Sequence, residues 1–311
     1  MNPTSRRQSP LALAAAGVTV VLWASAFVGI RAAGQDLSPG PLALLRLVVG
    51  SLLLGAFVLA RRDRMPPRRD LPGVVACGVL WFGIYNLALN AGERQVDAGT
   101  AAMILSLGPV LLALMAGIFL REGFPRSLVI GGATALAGAV VIGFATSADP
   151  RVTGAGAALC LLAALVYAGS VTIQKPLLAR SSGLVITWLA CTVGAIVCLP
   201  FAPALISELA TASPASITWT IYLGALPTAV AFTTWAYALA RTTAGRMGAT
   251  LYLIPPLTIL MGWLFLGEVP PTLALLGGAL CLGGVMLARS GGSGKANTAE
   301  PVVSQPREEV A

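Results

Sequence analysis

Long stretches of this chain are almost wholly apolar, and polar residues gather between them. Ten apolar segments run near 10–30, 41–60, 71–91, 97–120, 127–146, 154–174, 183–202, 216–240, 244–266 and 271–288. A bilayer crossing needs about 20 residues at about 1.5 Å rise each, and these segments have that length. Polar and apolar positions do not alternate within them, so the dyad pattern of a membrane barrel is absent. Backbone groups facing lipid must bond within their own segment, so each segment is expected to be a helix. Connections are short. The chain from Ser290 onward is rich in Gly, Ser and charge, and is expected to be disordered. The expected fold is an all-α integral membrane protein with ten transmembrane helices.

Composition agrees. Hydrophobic residues make up 57% of the 311 positions and charged residues 10%, with a mean hydropathy of +0.84. A soluble domain carries about a quarter charged residues. The net charge of +8 raises the possibility of a nucleic-acid partner. The bases form no single patch, however; they are dealt out between apolar segments. If the N-terminus is cytoplasmic, sixteen of the twenty Lys and Arg fall on the inner side, three on the outer side, and Arg46 lies within a segment. That asymmetry orients the chain with both termini in the cytoplasm, and membrane topology accounts for the charge without nucleic acid. The opening MNPTSRRQSP leads into an apolar run with no clear small-residue cleavage site, so it reads as a retained first helix.

One phrase occurs twice: GPVLLALMAGIFLREGFP at 108–125 and IPPLTILMGWLFLGEVPP at 254–271. Sliding the chain by 146 positions aligns 98–142 with 244–288 without a gap, and 17 of the 45 positions match. Gly99/Gly245, Pro109/Pro255, Met115/Met261, Glu122/Glu268 and Gly131-Gly132/Gly277-Gly278 are among them. A weaker echo joins WASAFVGIR (23–31) to YAGSVTIQK (167–175). Helices 1–5 and 6–10 therefore read as two copies of one unit. Five is odd, so the second copy enters the membrane from the opposite face, an inverted repeat. Such halves can exchange conformations and open a midplane site to one side at a time. The expected organisation is a cytoplasmic segment 1–9, a first repeat 10–146, a second repeat 154–289 and a tail 290–311.

WASAFVGIRAA in helix 1, LALLRLVVG in helix 2 and the duplicated helix 4–5 and 9–10 phrases resemble the EamA-type ten-helix members of the drug/metabolite transporter superfamily, over about 10–289. The resemblance implies a bacterial inner-membrane carrier, often an exporter of amino acids or related metabolites. It also implies that helices 1–4 and 6–9 surround a central cavity while 5 and 10 stand outside.

Several residues are candidates for that cavity. Arg46 is the one charge inside a segment, and burial of a bare charge at the bilayer centre costs at least about 2.5–3.5 kcal/mol. It reads as a contact for a substrate carboxylate or gate, or as an arginine snorkelling to the outer interface. Asn86 and Asn90, four apart with Tyr85 beside them, face a wet cavity or glue helices together. Trp23, Tyr167, Trp235 and Tyr252 lie deeper than an interfacial belt and suit either an amphipathic cavity or plain packing. Pro109, Pro255 and Pro256 fall at matching mid-segment positions and suggest hinges. Gly131, Gly132, Gly138, Gly277, Gly278 and Gly284 permit close helix packing.

Absences narrow the function. The chain has no histidine, so Ser-His and Cys-His catalysis and the usual zinc ligands are missing. Its five cysteines sit singly in apolar segments and suggest neither disulfides nor metal. GSGKAN near residue 292 lacks P-loop spacing. No acid lies deep in a segment; Glu93, at the outer end of helix 3, reads as a rim residue beside Arg94. The expectation is a secondary transporter of a small molecule in the lipid bilayer, with no cofactor or metal. A channel-like facilitator is the alternative, and an intramembrane enzyme a more distant one. Sequence leaves the oligomeric state open.

Overall fold

The structure, a computed structural model, describes residues 10–95, 104–146, 154–266 and 272–290. The terminal segments 1–9 and 291–311, and Glu268 in the second copy of the repeated phrase, lie outside the described residues. All described elements are helical. In chain order they are α1 (Pro10–Ala33), α2 (Pro39–Arg61), α3 (Arg68–Gly92), α4 (Leu107–Phe119), α5 (Arg126–Thr146), α6 (Gly154–Leu177), α7 (Gly183–Val197), α8 (Pro214–Leu239), α9 (Ala244–Ala249, continued through Thr250–Leu253 to Ile254–Leu266) and α10 (Thr272–Ser290).

Among the described residues, α1, α2, α3, α6 and α8 are long and apolar enough to cross a bilayer. A sixth span forms if α7 and Leu199–Leu209, bent by 48°, are taken together. Leu107–Phe119, Arg126–Ile142 and Leu275–Ala288 are shorter apolar helical stretches.

Packing follows the repeat. An added Cβ on Gly131 would meet Gly284 O at 2.5 Å, and one on Gly138 would meet Gly277 O at 2.5 Å. A side chain at any of these four positions would strike backbone, which is why glycine is there. Gly277 and Gly284 are the 146-shifted counterparts of Gly131 and Gly138, so each contact is the other with the partners exchanged. The crossing is therefore antiparallel and two-fold related, and Cys281 Sγ against the carbonyl of its own counterpart Ala135, 3.4 Å away, marks the axis. Gly132 and Gly278, also expected to pack closely, meet no neighbouring backbone: nothing lies within 4 Å of the first, and only Pro256 Cβ, at 3.4 Å, near the second.

The same exchange holds in the centre. Gly224 on α8 packs against Arg46 O and Val49 of α2; Gly78 on α3 packs against Ala190 O and Val193 of α7. Arg46 and Ala190, like Val49 and Val193, stand 144 positions apart, the offset of the Trp23/Tyr167 echo. Both α3 and α8 carry a π-helical turn, at Gly78–Ile84 and Gly224–Val230, again 146 apart. Sequence matching alone had not extended the repeat to these turns.

Candidate functional site

The central helices enclose a cavity of about 850 Å³. Residues from α1, α2, α3 and α9, with Leu105, Ser106 and Pro109 at the start of α4, form its walls. Tyr167 of α6 and Phe232 of α8 close its deep end. Ile142 of α5 also contributes, and α7 contributes no lining residue. The expected arrangement, eight helices around the cavity with α5 outside, is corrected on both points. The reason is local: α7 spends its small face on α2 and α3, where a Cβ added to Gly194 would meet Phe82 Cβ at 2.3 Å.

A proline sets up the polar heart of the site. Pro227 lies inside the π-helical turn of α8 and has no N–H to give the Leu223 carbonyl. Thr228 Oγ1 supplies that bond at 2.9 Å. The same hydroxyl accepts from Arg46 Nε at 2.8 Å. Arg46 is 6% exposed and lines the cavity. The paired turn on α3 frees the Trp81 carbonyl, and the one on α8 frees its counterpart, the Pro227 carbonyl. Asn86 Nδ2 bonds the first at 3.2 Å, and also Phe82 O at 2.9 Å. Trp23 Nε1 bonds the second at 3.1 Å.

Asn86 thus serves its own helix and does not line the cavity. Trp235 is fully buried beneath it, with Nε1 3.3 Å from Gln174 Oε1. The structure brings Trp23, Arg46, Tyr85, Asn90, Tyr167 and Tyr252 to the cavity wall together. Trp81 and Phe232, ring centres 4.8 Å apart, join them and had no sequence signal beyond aromaticity in an apolar segment. Trp23 stacks against Phe232 and Trp235 at 5.1 Å each. Offset and edge-on contacts of this kind rigidify the deep wall.

Pro109 and Pro255 line the cavity, while Pro256 lies behind it against Gly278. Each follows a local break in the regular helix. They occupy the first turns of Leu107–Phe119 and Ile254–Leu266, just after the turn at Ser106 and the 3₁₀ turn Thr250–Leu253. A first turn has no intrahelical use for the missing N–H, so proline fits without a kink of its own.

Four buried polar atoms on this cavity wall lack a hydrogen-bond partner among the described residues: Asn90 Oδ1, Glu93 Oε1, Tyr167 Oη and Tyr252 Oη. Buried polar atoms are nearly always bonded, so their convergence on one space is informative. Glu93, read from the sequence as a rim residue beside Arg94, is half-buried and also lines the cavity. It follows the last residue of α3, yet its side chain walls the cavity, and burial pushes its carboxyl up to about 7 against the opposing pull of Arg31 and Arg46.

The cavity's two ends differ. Toward Arg31, Gly34, Gln35 and Arg94 it is open. Loops there are tied by Asp36 accepting from Ser213 N, Ser213 Oγ and Ser216 Oγ at 2.6–3.0 Å, which holds its carboxyl below the usual range. Glu208 likewise accepts from Ser38, and Arg94 donates to Leu37 O. At the other end, Lys175 Nζ donates to Leu239 O and Thr242 O. Glu122 accepts from the N–H groups of Ala244 and Gly245 at 2.8 and 3.2 Å, capping the start of α9.

A helical membrane bundle around a closed-ended, solute-sized cavity is the frame of a transporter. The chain matches the EamA-like transporter family over residues 10–144 and 154–290, and it belongs to that family of transporters. It is 41% identical over 270 residues to a protein of Streptantibioticus cattleyicolor named as a probable terminal-alkyne amino-acid exporter, covering 87% of this chain and 90% of that one. It is 33% identical to the uncharacterized transporter YdfC of Bacillus subtilis, covering 85% and 86%. A solved crystal structure with 20% identity superposes with a TM-score of 0.73 over 89% of this chain and 96% of that one, a likeness of fold. The chain is a transporter and not an enzyme, and it takes a small-molecule substrate at a membrane.

Proposed function

We propose that this protein is a secondary transporter that exports amino acids or related small metabolites across a bacterial inner membrane by alternating access. In this reading ten helices span the bilayer, residues 10–146 and 154–289 form inverted repeats, and both termini are cytoplasmic. The observation that carries it is the convergence of buried, unpartnered polar atoms and the Arg46 guanidinium on one cavity between two-fold-related helices. The named exporter among its relatives supports the substrate class.

The described conformation is then the one open to the outer side, with the Glu122 and Lys175 contacts holding the inner end shut. Arg46 holds the substrate's carboxylate. Trp23, Tyr85, Tyr167 and Tyr252 receive its apolar part, with Asn90 at the rim. Asn86 and Trp235 support that wall from behind. The breaks ahead of Pro109 and of Pro255 and Pro256 act as paired hinges, since a helix already interrupted there bends without losing a further hydrogen bond.

Counterflow of labelled amino acids in proteoliposomes tests this. Saturable uptake, accelerated by unlabelled amino acid on the far side, is the expected result. Flux that rises linearly with concentration and ignores the far side means a channel-like facilitator instead.

A further inference from the structure

Glu93 is a charged group whose setting the transport reading leaves unexplained. Three observations bear on it. It walls the same cavity as Arg46, and its Oε1 is sealed from solvent without a partner among the described residues. Its carboxyl feels the Arg46 guanidinium, so the two charges share one space. And the repeat gives no structural reason for either: the counterpart of Arg46 is Ala190, and that of Glu93, 146 positions on, is Leu239, both fully buried apolar residues in the same packing. The fold therefore tolerates an apolar residue at each position. What the first repeat gains is a buried positive group and a negative group facing a cavity whose other charged residues, Arg31 and Arg94, stand at its open end.

We infer that Arg46 and Glu93 form a zwitterion clamp, Arg46 taking a carboxylate and Glu93 a primary ammonium, which makes the site specific for α-amino acids over acids or amines of the same shape. This rests on the transport reading above and sharpens it. Each bond is charge-assisted and shielded, so each discriminates strongly against an analogue lacking its group. The clamp also links recognition to pH: protonated Glu93 has no charge to offer an ammonium. Among the described residues, the groups whose charge it feels or acts on are Arg31 from α1, Arg46 from α2, Tyr85 from α3 and Cys160 from α6, and Arg94 and Tyr167 line the same cavity. None of these is a carboxylate or a histidine, so among the described residues facing it Glu93 is the group that the experiment titrates between about pH 5.5 and 7.5.

The test uses full-length protein in liposomes and competition for counterflow by norvaline and phenylalanine, their des-amino analogues pentanoate and 3-phenylpropanoate, and their decarboxylated analogues butylamine and phenethylamine. In the wild type the amino acids should compete at least about tenfold better than either analogue class. Glu93→Gln should lose at least about tenfold for the amino acids, leave pentanoate and 3-phenylpropanoate no weaker, and abolish the wild type's loss of amino-acid affinity on acidification below about pH 7. Arg46→Gln should lose the amino acids and acids and spare the amines. Glu93→Asp should restore part of the amino-acid preference, which a merely structural role for Glu93 does not produce. If the wild type carries amino acids but Glu93→Gln competes and responds to pH as the wild type does, the clamp is wrong while the transport reading stands. If the wild type carries none of the six compounds, both fall.

Discussion

The two repeats use the same packing and different chemistry. Gly224 against Arg46 and Val49 is the same crossing as Gly78 against Ala190 and Val193, and the π-helical turns on α3 and α8 coincide under the repeat. Yet Arg46 pairs with Ala190, Asn90 with Ala236, Glu93 with Leu239 and Asn86 with Phe232. Backbone symmetry gives a transporter two arrangements of similar energy; it does not need two copies of a binding site. The first repeat carries the charged groups and Asn90, while the second supplies mainly apolar wall together with the Tyr167 and Tyr252 hydroxyls, and its Thr228 hydroxyl accepts from Arg46. The lesson is that duplicated glycines report the mechanism's frame, and positions where the duplication is broken report the ligand.

Substitutions can separate the shared frame from the unshared chemistry. The largest effect is expected at the α5–α10 crossing. Gly131→Leu and Gly277→Leu each push a side chain into backbone and should each destabilise by about 3 kcal/mol or more, seen as loss of folded protein after heating. Equivalent positions should suffer alike, and a wide gap between them breaks the equivalence. Next is Trp235→Ala, which empties a fully buried site under the cavity and should cost about 3–5 kcal/mol, read from the same heating curves. Glu122→Gln weakens two bonds at the start of α9; it should cost about 1–2 kcal/mol, read from the same heating curves. The smallest effect is Asp36→Asn. Its carboxylate is held below its ordinary range by Ser213 and Ser216, so the stability it lends is present above the unfolded pKa and fades as pH falls through the lower folded one. Wild type and variant should differ slightly in melting temperature at pH 7 and converge in acid.

How much of this was legible beforehand differs between frame and site. The glycine pairs at 131/277 and 138/284 announced the α5–α10 crossing, because a backbone contact tolerates one residue type and leaves it in both copies. Arg46 was legible because a lone charge in an apolar segment needs a reason. Asn86 was misplaced because, although it lies one turn before Asn90 in the regular helical stretch Tyr85–Gly92, its amide bonds the Trp81 and Phe82 carbonyls of the π-helical turn just before it. The prolines were legible, and the turns just before them were not, because those breaks carry no composition signal. Glu93 was undervalued because its place at the end of α3 hides that the cavity reaches the helix end, a fact of tertiary packing. The Pro227–Thr228–Arg46 chain joins residues 182 positions apart and has no local trace.

The central claim, that equivalent positions of the two repeats face opposite sides of the membrane, is tested most directly at Arg126 and Thr272, the exposed 146-related first residues of α5 and α10. The five native cysteines are buried, so a single cysteine at either position can be read against them. A membrane-impermeant maleimide should label Thr272→Cys in intact cells and Arg126→Cys only in inverted vesicles. Labelling of both from the same side would contradict the account.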